Sequence, residues 1–194
     1  MIKIKDNKLL IVKALVEKGD QKINIRQLSQ ELSINYSNVY YSIKQLQNEG
    51  LISLEKMGNS YNCILNKKVH PLIFQAEYGR RDTFIKDKNI KALKSKLNSL
   101  KFPFIALIFG SYAKGNRTKG SDLDLMTISE KNRIKDLEQI ISLLPLNIHM
   151  VPLTFEEFSS MAQTKKFNVV LEVMAANVIL IGIEDYYRML ENVE

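Results

Sequence analysis

The sequence predicts a two-domain chain of mixed α+β / α/β class: helices closed by a β-hairpin, then a small mixed sheet flanked by helices. Three observations predict it. Apolar residues recur at helical spacing through the first fifty positions and then give way to two short alternating runs around Gly58-Asn59. Apolar runs and helical segments alternate from about residue 84 onward, as a sheet with helical connections requires. Two apolar runs, Phe104 to Phe109 and Leu123 to Ile128, flank the polar turn GSYAKGNRTKGSDLD, residues 110–124. The boundary is placed at Pro71, which divides the chain into domains 1–70 and 71–194.

The first helix spans residues 6–18, with Leu9, Leu10, Val12, Ala14, Leu15 and Val16 on a wide apolar side and Gly19 as its stop. Asn24 caps a second helix carrying Leu28 and Leu32; a turn through Ile34 and Asn35 leads to Ser37, the expected cap of a third. Val39, Ile43 and Leu46 share one face of that third helix, which ends at Gly50. Leu51 to Lys56, a turn at Gly58-Asn59 and Tyr61 to Leu65 then read as a hairpin. Three helices and a hairpin make a winged helix-turn-helix. Burial of Val39, Ile43 and Leu46 turns Ser37, Tyr41, Lys44, Gln45 and Asn48 outward, with Asn38 and Tyr40 at the edges of that face. Arg26, Lys56 and Asn59 are placed to reach a phosphate backbone.

Beyond Pro71, Ile90, Leu93, Leu97 and Leu100 predict a connecting helix, residues 84–100, that packs on the following sheet and stops before Pro103. Its lysines, Lys91, Lys94 and Lys96, read as a solvated face. Helices are expected over Arg133 to Leu144, Phe155 to Met161, Phe167 to Ala176 and Asp185 to Leu190, with strands at Leu146 to Val151 and Val178 to Ile181. Thr154 caps the second of these helices, so Glu156 and Glu157 read as first-turn carboxylates favoured by the helix dipole. Tyr186, Tyr187 and Leu190 lie at helical spacing and read as core.

Composition narrows the function classes. The chain of 194 residues is 45% apolar, enough for a core in each domain. Its single cysteine, Cys63, forbids an intrachain disulfide and carries no flanking cations that would activate it; no apolar run approaches a membrane span. A cytoplasmic protein without a membrane partner is expected. The first 68 residues hold 11 basic against 6 acidic side chains, +5 of the whole chain's +7, which points to an acidic partner such as nucleic acid.

The turn at 110–124 carries the chemistry. Gly110-Ser111 can lay backbone N–H groups and a hydroxyl against a phosphate, while Asp122 and Asp124, at i and i+2 of a strand, share a face and can reach one metal. Paired carboxylates beside a phosphate-binding turn suggest a hard divalent cation shared with a nucleotide. Gly110-Ser111 followed after about ten residues by Asp122-Leu123-Asp124 resembles the signature of the nucleotidyltransferase superfamily typified by DNA polymerase beta, in its minimal branch. The resemblance implies that Ser111 and the turn amides hold the triphosphate, that Asp122 and Asp124 bind Mg2+ or Mn2+ and serve catalysis, and that Lys114 meets a phosphate. It also implies a third carboxylate on a later strand. That strand reads Leu146-Asn147-Ile148-His149-Met150-Val151, with His149 at the expected position and Asn147 on the same face.

The segment INIRQLSQELSINYSNVYYSIKQLQNEGLI and its wing resemble the winged-helix repressors over about residues 6–66. The resemblance implies that the third helix enters the major groove of double-stranded DNA, that the wing touches flanking phosphates, and that the protein forms a homodimer. Two functions are therefore expected. One is a metal-dependent transferase moving a nucleoside monophosphate from a triphosphate, ATP first among the choices, onto an acceptor hydroxyl. The other is a DNA-binding regulator with a degenerate domain that senses a nucleotide or acts as a scaffold. A protein acceptor, such as a toxin modified by its antitoxin, is a further partner by analogy.

Overall fold

The computed structural model describes residues 6–58, 60–118, 120–164 and 166–193, which fall into two compact units, Met1–Tyr78 and Gly79–Glu194. Asn59, expected at the tip of the hairpin, lies outside the described residues.

In the first unit, α1 (Asn7–Lys18) starts at Asp6, whose carboxylate accepts from the amides of Lys8 and Leu9, and ends at Gly19 in the left-handed region. β1 (Ile23–Asn24) leads into α2 (Ile25–Leu32) through a capping box, in which Asn24 and Gln27 each accept from the other's amide. α3 (Tyr36–Asn48) begins one residue before the expected cap. Asn35, not Ser37, caps it: the Asn35 side chain accepts from the Ser37 amide at 2.9 Å, and an asparagine before the first turn competes well for that place. β2 (Ile52–Met57) and β3 (Ser60–Leu65) form the expected antiparallel hairpin. The short β1 was not expected. It pairs antiparallel with β3, Ile23 opposite Cys63 and Asn24 opposite Asn62, in a sheet of order β1-β3-β2. Leu28, Val39, Ile43, Leu46 and Leu51 are fully buried, which fixes the helix faces predicted from their spacing.

α4 (Pro71–Phe84) was missed, because its apolar positions are broken by Tyr78-Gly79-Arg80-Arg81. Proline at its first position supplies the φ of a helix start. Instead of one helix over 84–100, the chain turns after Phe84 and restarts at Asp87, whose carboxylate accepts from the Asn89 and Ile90 amides and caps α5 (Lys88–Leu97). Leu100 falls past the end of α5, yet still packs on the core.

The second unit is built on four strands, β4 (Ile105–Ile108), β5 (Leu123–Ile128), β6 (Ile148–Leu153) and β7 (Val178–Ile181), in order β6-β5-β4-β7. β4 is antiparallel to β5 and β7, and β5 is parallel to β6, so the sheet is mixed as expected. α6 (Gly110–Ala113) is a single turn between β4 and β5; a 3-10 turn (Lys131–Arg133) precedes α7 (Ile134–Ser142). α8 (Phe155–Ala162), α9 (Val169–Ala175) and α10 (Ile183–Glu191) complete the unit. Ile90, Leu93 and Leu97 of α5 cluster with Ala106, Ile108, Leu123, Leu125, Leu137 and Ile141, so one face of the sheet is covered by α5 and α7. Each such buried leucine or isoleucine contributes about 1.5–3 kcal/mol. Tyr186, Tyr187 and Leu190 are buried, as read from their spacing, and Pro152 sits on edge strand β6, where a missing ladder donor is tolerated. No helix among the described residues is long and apolar enough to cross a membrane.

Cys63 is buried on β3, and burial pushes its thiol up to about 12. A thiol-reactive disulfide reagent at pH 8 is therefore expected to label it only as the first unit unfolds, with labelling and loss of helical signal coinciding along a urea series.

Candidate functional site

The signature turn starts where β4 ends. The Phe109 amide donates to the Asp124 carbonyl at 3.0 Å, extending the β4–β5 ladder by one step, and the chain then swings into α6 at Gly110 with φ +64°. Only glycine takes this conformation without strain. A Cβ at Gly110 would also collide with the second carboxylate oxygen of Asp124 and lie 3.1 Å from its Cγ. The glycine and the aspartate of the signature are thus in direct contact. Bonds from the Lys114 amide to the Gly110 carbonyl (3.1 Å) and from the Asn116 amide to the Ser111 carbonyl (3.1 Å) close the turn and leave Ser111 half-buried at its start.

Asp124 sits on β5 between Leu123 and Leu125, both buried in the core, and so faces away from α5 and α7; Asp122, two residues earlier, takes the same side. The parallel register sets Asp124 opposite His149 and Leu123 opposite Ile148. His149 Nδ1 lies 3.2 Å from Asp124 Oδ1, and the Asn147 amide donates to Asp122 Oδ1. The two positions facing the aspartates therefore hold an imidazole and a carboxamide. Glu157 does not come to the pair: its carboxylate accepts from the Thr154 amide at 2.8 Å in a capping box, with Glu156 in the same first turn. Among the described residues, no three His, Cys, Asp or Glu side chains form a group that could hold a metal.

This donor set suits one cation better than two. Each aspartate gives one oxygen to its partner on the β6 side and keeps the other, so a hard cation here would need further oxygens, from phosphates or water, to complete its shell. The imidazole adds a nitrogen, which manganese accepts more readily than magnesium.

Lys114 is not free. Its ammonium is 2.7 Å from Glu172 Oε1, a carboxylate of α9 that reading the sequence missed. Its signal was there to be seen, since Glu172 is the only charge in the apolar run Val169–Ala175. Arg117 ties the far end of the turn to α5. Its guanidinium donates to Asp87 Oδ2 at 2.9 Å and lies 4.9 Å from the Tyr112 ring centroid.

In the first unit, Ser37, Asn38, Tyr41, Gln45 and Asn48 of α3 are exposed, as is Lys56 on β2. Lys44 is only half-buried outward: it donates to Gln47 at 3.0 Å and lies 5.9 Å from the centroid of the Tyr40 ring. Tyr36 and Tyr40 stack at 6.3 Å, and Tyr41 is 67% exposed, so aromatic and amide groups outnumber cations on this face.

Burial works against ionisation of Asp87, but the Arg117 hydrogen bond and the two α5 amides outweigh it and hold the carboxyl below its ordinary value. A lowered folded value means that the stabilisation is complete above the ordinary carboxyl range near ~4 and is lost as pH falls below it. The gap in thermal midpoint between the native protein and Asp87→Asn is accordingly expected at pH 7 and should close toward pH 3.

Residues 91–181 match the family Polymerase beta, Nucleotidyltransferase, and residues 5–53 match the family Bacterial regulatory protein, arsR family. No curated protein matches the chain. The first match spans α5 to β7 and contains both Gly110-Ser111 and the aspartate pair; the second spans α1 to the start of β2. The chain thus joins a helix-turn-helix domain of the ArsR regulatory type to a nucleotidyltransferase domain of the polymerase beta family.

Proposed function

We propose that this protein is a DNA-binding regulator whose C-terminal domain binds a nucleoside triphosphate, ATP first among the choices, together with one divalent cation, and transfers its nucleotide poorly or not at all. One observation carries the reading: the β5–β6 register puts His149 and Asn147, neither of them an acid, beside Asp124 and Asp122. Retention of the aspartates supports binding, because two carboxylates on one strand face repel each other unless a cation is shared between them. Asp122 and Asp124 would hold Mg2+ or Mn2+, whose chemistry when bound is to neutralise phosphate charge. The Ser111 hydroxyl and the amides of the turn would take the phosphates, and Lys114 would join them by leaving Glu172. What the facing strand does not supply is the negative charge of a third carboxylate, which would help hold a second cation beside an acceptor hydroxyl.

The second reading is transfer itself, favoured by the intact Gly110-Ser111 and Asp122-Asp124 pattern. An acceptor oxygen would bond to the α-phosphorus, pyrophosphate would leave, and the acceptor proton would pass to His149 or water. The acceptor would be a hydroxyl of nucleic acid or of a protein partner.

Titration calorimetry with ATP, GTP, CTP and UTP, in magnesium and then manganese, separates these readings when followed by an assay for released pyrophosphate. Saturable binding without pyrophosphate is expected, and Asp122→Ala should weaken it more than about tenfold, or at least 1.4 kcal/mol. Steady pyrophosphate release would establish the transferase; unchanged affinity in the variant would remove the site.

DNA contact is proposed for the exposed face of α3, with Ser37, Asn38, Tyr41, Lys44, Gln45 and Asn48 toward bases and phosphates and Lys56 toward the flanking backbone. Lys56→Ala is expected to weaken binding on all sequences alike and to lower the salt slope by about 1, whereas Tyr41→Ala should change preference among sequences. Equal affinity and slope in both variants would count against this face.

A further inference from the structure

The turn that carries Gly110 and Ser111 has a second side. Tyr112 and Arg117, with Phe84 at the end of α4 and Lys86, Asp87 and Ile90 around the start of α5, line a cleft of about 480 Å³. Ile90 belongs to the core cluster that includes Leu123 and Leu125, whereas Asp122 and Asp124 alternate with those leucines along the chain. The cleft therefore opens on the opposite face of the sheet from the aspartates.

Size, walls and charge together define what would fit. The volume falls within the roughly 300–1,000 Å³ of small-molecule sites. Phe84, Tyr112 and Ile90 offer two aromatic rings and an aliphatic floor. Asp87 is saturated: Oδ1 accepts from the Asn89 amide at 2.8 Å and from the Ile90 amide, and Oδ2 accepts from Arg117. It has little capacity left to attract a cationic ligand. Arg117 lies over Tyr112 and gives Nη1 to Asp87, and Lys86 forms no ion pair among the described residues. Donors and positive charge are in surplus beside apolar walls.

We propose that this cleft is a second ligand site, separate from the aspartate pair, which takes a small anion carried on a flat aromatic body. A nucleoside monophosphate and an aromatic carboxylate share that chemistry. Such a ligand would hold Arg117 and Tyr112, and through them the turn bearing Ser111, so that its presence would be felt at the other face of the sheet.

The test uses the full-length Asp124→Asn protein in a metal chelator, so that failure of the nucleotide and metal reading has no bearing on the result. AMP, 4-hydroxybenzoate and inorganic phosphate are titrated separately, and amide and side-chain shifts are followed by NMR. AMP or 4-hydroxybenzoate is expected to shift Phe84, Ile90 and Tyr112 in a saturable way, with inorganic phosphate much weaker. The stronger of the two aromatic probes identifies the source of the ligand. Lys86→Ala, an exposed side chain whose loss leaves the fold intact, should lower that affinity about tenfold, as loss of one charge-assisted bond does. Phe84→Ala should lower it as well. Absence of shifts from both aromatic probes at millimolar concentration, or shifts that persist unchanged in Lys86→Ala and Phe84→Ala alike, would overturn the proposal.

Discussion

The contact between the Gly110 backbone and the Asp124 carboxylate is the constraint on which the rest of the site depends. It exists because β4 and β5 are neighbours with no gap between them: the ladder continues through the Phe109 amide, and the next residue must turn away at once. A side chain at that place would push the carboxylate aside, and a negative φ would send the following turn elsewhere. Sheet pairing, one glycine and one aspartate thus set the start of the turn directly against a carboxylate. Ser111 follows the glycine and Asp122 precedes the strand, so both inherit their positions from this contact.

The same strand order determines what faces the acids. Because β6 runs parallel to β5 in register, the residues opposite Asp124 and next to Asp122 are set by the backbone, and they are His149 and Asn147. An imidazole and a carboxamide satisfy the aspartates by hydrogen bonding while adding no negative charge. Three carboxylates would demand more cationic charge to offset their mutual repulsion than two do. The site thereby carries less negative charge than a three-acid centre, and the proposal that it holds a nucleotide rests on that difference.

Much of this was legible in the sequence, and the exceptions have physical causes. Val39, Ile43 and Leu46, or Leu93 and Leu97, announce their faces because a fixed helical period admits one buried stripe. The aspartate pair and Gly110 were legible because a local motif needs no knowledge of the partner strand; the family resemblance pointed to His149 as the third position, and the strand register sets it opposite Asp124. Helix α4 was hidden by charges in its second half, and the helix expected over 84–100 ignored the strength of Asp87 as a cap. β1 is two residues long and gains its order from β3, about forty positions away in the chain, so nothing local reports it. Lys114 shows the same limit at the site: its type suggests a phosphate contact, but its engagement with Glu172 is a tertiary fact.

That engagement gives the turn a resting state. An exposed pair such as Lys114 and Glu172 is worth only about 0–1 kcal/mol, so the lysine can leave it for a phosphate at little cost. The Arg117–Asp87 pair at the other end is different in kind, since it joins a stacked guanidinium to a carboxylate already fixed as a helix cap. One end of the turn is therefore free to answer a ligand while the other is tethered. If phosphate binds as proposed, a turn held in this way would answer it through Lys114 while the contact between Gly110 and Asp124 stays in place.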